Sequence, residues 1–134
     1  MKTLRQDRRG FTLVELMIVI VIVGVLAAVA VPIYQANVKR SKASEADAAL
    51  GTIRTALRVY YAENQSYPTA GTAVAVTSLS IDIQAADLNG KYFSATDYTY
   101  ISADGISYTI KATGSGAQAG INRQMDQAGT LSSF

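Results

Sequence analysis

From Met17 to Gln35 nineteen consecutive residues carry no charge, and the apolar run that contains most of them starts at Phe11 and ends at Val31. As a helix this run is about 31 Å long, enough to cross the hydrocarbon of a bilayer. A segment this long and apolar constrains the arrangement of the rest of the chain. One carboxylate, Glu15, lies inside the run. An ionised acid at membrane depth costs about 2.5–3.5 kcal/mol on insertion scales, which calls for a partner and a role.

Lys2, Arg5, Arg8 and Arg9 against Asp7 give residues 1–10 a charge of +3, which leaves −1 for the rest of a chain whose total is +2. A basic leader before an apolar run is the general form of a secretory signal peptide, and Ala28-Val29-Ala30 has the small residues of a cleavage site. Two features oppose that reading. Glu15 stands at the start of the run, and the helical pattern continues beyond the membrane-length stretch. Ala43, Ala46, Leu50, Ile53, Leu57 and Tyr60 recur at alternating three- and four-residue steps, and residues 33–67 hold no proline. The spacing predicts one helix from about Phe11 to about Asn64, roughly 80 Å long. Its first half is apolar all round and its second half amphipathic. Gly24 and Pro32 are its weak points, because glycine costs about 1 kcal/mol of propensity and proline removes a backbone hydrogen bond. They mark either a kink or a segment that can extend when its surroundings change.

The cluster Asn64-Gln65-Ser66-Tyr67-Pro68-Thr69 ends the helix. Residues 65–90 lack periodicity and are expected to form a loop, with Ser78–Leu88 as a short helix or ordered turn. Residues 91–134 are expected to form an antiparallel sheet. Lys91–Ser94, Tyr98–Ser102, Ser107–Thr113, Asn122–Asp126 and Gly129–Phe134 are its strand candidates. Asp104-Gly105 suggests a type I′ hairpin turn. The fold class is therefore α+β: a long N-terminal helix packed on a C-terminal β-meander, whose apolar face covers the stripe Ala46–Tyr60.

Composition narrows the chemistry. The chain has neither Cys nor His, so it has no disulfide, no thiolate metal site, no haem-attachment motif and no imidazole base. Glu45, Asp47 and Glu63 are expected on a solvated helix face, where they make no catalytic pair, and no enzyme activity or cofactor is expected. Asp97, Asp104 and Asp126 are the carboxylates that could gather round Ca²⁺, although their spacing matches no loop motif and aspartates in turns are usually turn formers. Arg54 and Arg58 share a helix face, and Lys91, Lys111 and Arg123 lie in the sheet half; two arginines one turn apart more often serve a solvated surface than a nucleic-acid stripe. Phe11, Tyr34, Tyr60, Tyr61 and Tyr67 lie along or just past the helix, where a path for electrons can be imagined, but aromatic packing is the ordinary use of such residues.

The stretch RRGFTLVEL at 8–16, its continuation to Tyr34, and ALRVYYAENQSYP at 56–68 resemble the type IV pilins and the type II secretion pseudopilins. The resemblance covers the leader and the whole helix, and extends in general character to the meander. It implies that a prepilin peptidase cuts between Gly10 and Phe11 and methylates the new amine of Phe11. It implies that Glu15 pairs with that amine and sets subunit register, and that Gly24 and Pro32 fall where such helices extend in filaments. It further implies a precursor held in the inner membrane, an assembly platform there, and a homo-oligomeric helical filament at the cell surface. Type IV pilin, including minor pilin, is the first reading. A secretion pseudopilin is the alternative, as is a pilus subunit for DNA uptake or electron conduction. The lack of Cys departs from the disulfide-bearing pilins, and the lack of Trp from the major pseudopilins.

Overall fold

The computed structural model describes residues 10–134; the expected basic leader, apart from Gly10, lies outside them. Helix α1 spans Leu13–Asn64 with Pro32 inside it. The expected start at Phe11 moves two residues along, because Thr12 caps the helix. By compactness the chain divides into two units, residues up to Asn37 and Val38–Phe134.

In the first unit every described residue, 10–37, is exposed. The helical segment there is long and apolar enough to cross a membrane, and none of its apolar window is buried. Gly24 and Pro32 are both helical. A Cβ built at Gly24 meets nothing within 4 Å, so no packing inside this chain demands a glycine there.

The second unit has its own core. Ala46, Leu50, Ile53 and Leu57 are buried on α1, as the period predicts, with Ala43 partly buried beside them. They pack with Val76, Leu88, Phe93, Tyr98, Tyr100, Ile110, Ile121 and Met125. The sheet is a five-stranded antiparallel meander in sequence order. Its strands are β1 (Ala70–Ala75), β2 (Tyr98–Ser102), β3 (Thr109–Thr113), β4 (Asn122–Asp126) and β5 (Leu131–Ser133). Alternation sets the buried face: Tyr98, Tyr100 and Ser102 point inward on β2, and Ile110 and Ala112 on β3. A four-residue helix, α2 (Ala85–Leu88), lies in the connection after β1 and buries Leu88.

Three local expectations need correction. The stretch expected as loop contains β1, an edge strand of small residues that pairs Val74 with Tyr100 and is irregular between Ala70 and Val74. Ala-Gly-Thr-Ala-Val-Ala has little strand propensity of its own, so pairing with β2 decides its conformation. Lys91–Ser94 is no strand, because the N–H groups of Lys91, Tyr92 and Phe93 turn together onto the Glu45 carboxylate. The β2–β3 connection is a longer loop, 103–108, rather than a two-residue turn. Gly105 has the expected positive φ of 67°, but Asp104 does not, and type I′ needs both. The Asp104 carboxylate instead accepts the N–H groups of Ile106 and Ser107, an Asx-type turn.

Candidate functional site

The N-terminal segment is built on Thr12-Leu13-Val14-Glu15. Oε2 of Glu15 accepts the Thr12 N–H at 2.8 Å and the Thr12 hydroxyl at 2.9 Å. The Glu15 N–H in turn donates to Thr12 Oγ1 at 3.2 Å. This is a capping box, in which two otherwise orphaned N–H groups at the helix start are satisfied reciprocally. The T-x-x-E spacing was present in the sequence, yet reasoning from membrane cost alone singles out the acid and misses the threonine. Both bonds to the carboxylate use Oε2, which leaves Oε1 without a hydrogen bond to any described residue. Phe11 is 82% exposed. A Cβ at Gly10 would meet nothing within 4 Å, so the glycine answers no packing need in this chain.

In the second unit the charged residues serve unlike purposes. Glu45 and Asp47, expected on a solvated face, are half-buried and work as ties. Glu45 accepts the N–H groups of Tyr92 and Phe93 at 2.8 Å and of Lys91 at 3.2 Å. A Cβ at Gly90 would fall on its carboxylate, which is why that bend carries a glycine. Asp47 takes Arg123 of β4 in a two-pronged bond, 2.7 Å from Nε and 2.9 Å from Nη2. The Asp47 carboxylate beside Arg123 holds its guanidinium pKa above the ordinary value. Glu63 is exposed, as expected.

The three aspartates considered for Ca²⁺ are not brought together. Asp97 caps the turn at Ser94, Asp104 closes the 103–108 loop, and Asp126 accepts the Thr130 N–H at 2.8 Å. These backbone donors hold Asp104 and Asp126 below the usual carboxylate pKa. Among the described residues no group of three or more His, Cys, Asp or Glu is placed to hold a metal ion.

Of the basic residues, Arg54 donates to the backbone oxygens of Gln127 and Ala128, and Arg123 is spent on Asp47. Lys91 and Lys42 both lie over the Tyr92 ring at 5.4 Å, and Lys111 lies over Phe134 at 4.7 Å. Arg58 is exposed. The structure thus does not assemble Arg54, Arg58, Lys91, Lys111 and Arg123 into one stripe. Of the aromatic candidates, Tyr61 and Tyr67 join Tyr108 and Tyr100 in a run of packed rings with centroids 4.7–5.8 Å apart. Burial pushes the hydroxyls of Tyr98 and Tyr108 up to about 12.

Among the described residues the arrangement offers no paired acid and base in a cleft. It offers a helical segment of exposed apolar side chains and a second unit with its own core. Known families carry the same two parts. A profile described as the prokaryotic N-terminal methylation motif matches residues 5–31. A second, described as type IV minor pilin ComP, DNA uptake sequence receptor, matches residues 32–131. The fimbrial protein EcpC of Eikenella corrodens is 40% identical over 112 residues, covering 83% of this chain and 68% of that protein. A fimbrial protein of Neisseria meningitidis is 40% identical over 90 residues, covering 67% of this chain and 49% of its own length. The type IV major pilin protein PilE1 of Neisseria gonorrhoeae is 44% identical over 85 residues, covering 63% and 48%. The chain therefore spans about two thirds of the Eikenella protein and about half of each Neisseria protein. Since one profile takes the methylated-helix part and the other nearly everything after it, the chain belongs to the type IV pilins and is a structural subunit of that family.

Proposed function

We propose that this chain is stored in the inner membrane as a precursor, cut between Gly10 and Phe11 by a prepilin peptidase, methylated on the Phe11 amine, and assembled by a membrane platform into a surface filament. The role is structural rather than catalytic. One observation carries the reading: residues 10–37 bury nothing within their own molecule, while the head is complete without them. Apolar surface of that extent needs lipid before assembly and the same helix of other subunits after it.

Glu15 gives the assembled helices a register. Before cleavage its carboxylate is satisfied by Thr12 through Oε2. Cleavage creates an amine at Phe11, methylation leaves it cationic, and Oε1 is available to it on the same or a neighbouring subunit. In low dielectric an unpaired charge is penalised heavily, so the pair selects one register among many apolar ones. Gly24, which no packing in this chain requires, and Pro32 would let the helix extend locally as subunits pack.

The test is assembly. Fibres sheared from cells and identified by their main proteins should contain this chain. Glu15→Ala should be processed normally and lost from the fibres. An unchanged fibre yield from Glu15→Ala would show that charge pairing is not what registers the helices.

A second reading is favoured by the family matched over residues 32–131, whose description names a DNA uptake sequence receptor. On this reading the head also meets DNA. The full chain in detergent micelles should then bind duplex DNA with an affinity that falls steeply with salt. No measurable binding at low salt would remove it.

A further inference from the structure

Two opposite flanks of the head part of α1 carry charge of opposite sign. One flank carries Arg40, Asp47, Arg54 and Arg58, which recur at seven, seven and four residues and so share a helical stripe. The Asp47–Arg123 pair and the Arg54 bonds to Gln127 and Ala128 fix this stripe beside β4 and the β4–β5 turn. Asp47 is neutralised there, which leaves the flank basic, with Arg40 and Arg58 exposed and unbonded to any described carboxylate.

The other flank carries Thr52, Ala56, Val59 and Glu63, again at helical spacing. A groove lined by Thr52, Thr55, Ala56, Val59, Asp82 and Ile83, together with Asp87, sets the connection after β1 beside it. Glu63, Asp82 and Asp87 are all exposed, and Val59, which lines the groove, is 51% exposed. Lys42 and Lys91 lie further toward the start of the head, each held over Tyr92, so the acidic surface is confined to Thr52–Glu63 and Asp82–Asp87.

We propose that these flanks are the two halves of one contact between copies: the Arg40–Arg58 flank of one head docks on the groove that carries Asp82 and Asp87 in the next, with Glu63 on the same helix flank as that groove. An arginine stem suits the Val59–Ile83 lining while its guanidinium reaches the carboxylates at the rim. Complementary flanks on opposite sides of one molecule make a heterologous contact, which propagates instead of closing. A nucleic-acid backbone is the other natural occupant of a basic flank. It is disfavoured because Arg54 and Arg123 are already engaged, and because the eight Lys and Arg of residues 38–134 are matched by eight Asp and Glu. The proposal rests on the filament reading and adds to it which faces of the head meet.

The absence of cysteine makes the test clean. The full chain carrying both Arg58→Cys and Asp82→Cys, oxidised in intact cells, should give a ladder of disulfide-linked multimers, with each single variant giving none. In a second arm, Arg58→Glu should lower the chain recovered in sheared fibres roughly tenfold or more, and adding Asp82→Arg should restore it. No ladder from the double variant, a dimer from either single variant, or a ladder abolished by nuclease treatment would each overturn the pairing; the last would assign the basic flank to nucleic acid. The filament reading fails separately, if the unsubstituted chain is absent from fibres.

Discussion

Residues 13–37 and 38–64 are parts of one helix, yet they obey opposite rules. The first part has branched and long apolar side chains on every side and buries none of them in its own molecule. The second has a narrow buried stripe of Ala46, Leu50, Ile53 and Leu57, and fixes its polar flanks with Glu45, Asp47 and Arg54. The difference teaches where each part's stability comes from. The second part contributes to an internal core, while the first leaves its apolar surface exposed.

The largest expected effect separates the two parts directly. Leu50→Ala should destabilise the head by about 2–5 kcal/mol, the range for removing a fully buried leucine. Leu26→Ala, at a position 64% exposed, should leave the head's denaturant midpoint unchanged. Equal losses in micelles would mean that the head depends on the apolar helix, and would break the comparison.

The two glutamates come next. Glu45→Ala orphans three N–H groups and should cost about 1–3 kcal/mol of head stability. Glu15→Ala should cost the head nothing and act on assembly alone. A head weakened by Glu15→Ala would place that residue's role in folding.

Alkaline pH should unfold the head while leaving the apolar helix intact. Tyr98 and Tyr108 are raised from 10.0 to about 12 by burial. Because the folded state holds these protons more tightly, the stability they contribute is full below about 10 and is lost as pH rises toward about 12. Phenolate absorbance should therefore rise together with loss of sheet signal; titration of all eight tyrosines near 10 with the fold intact would contradict this.

The smallest effect lies at low pH. Asp104 is lowered by the Ser107 and Ile106 N–H groups, and Asp126 by that of Thr130. Their contribution is present above the unfolded value of 3.8 and fades as pH falls through their folded values. Asp104→Asn should flatten that part of the acid stability profile and leave the slope at higher pH unchanged.

Much of this was legible in the chain. A 3.6-residue period fixes α1 through Tyr60 because one face must be dry, and alternation fixes β2, β3 and β4 for the same reason. The misses share a cause. β1 is Ala-Gly-Thr-Ala-Val-Ala, whose strand state comes from its partner, and Lys91–Phe93 bends because a carboxylate 46 residues earlier collects its N–H groups. Those are tertiary decisions with no local signature. The sequence alone puts Glu45 and Asp47 on a solvated face for the same reason, since their partners lie far along the chain. Thr12 is a different case, for its capping-box spacing is local and readable once Glu15 is treated as a helix-start residue as well as a membrane acid.

The central claim is that the apolar helix is built for assembly and becomes competent when its N-terminus is made. Mass spectrometry of the mature chain reads this directly. The expected product is a chain beginning at Phe11 with one methyl group on its amine. A chain beginning at Val31, as a discarded signal peptide would leave, would contradict it.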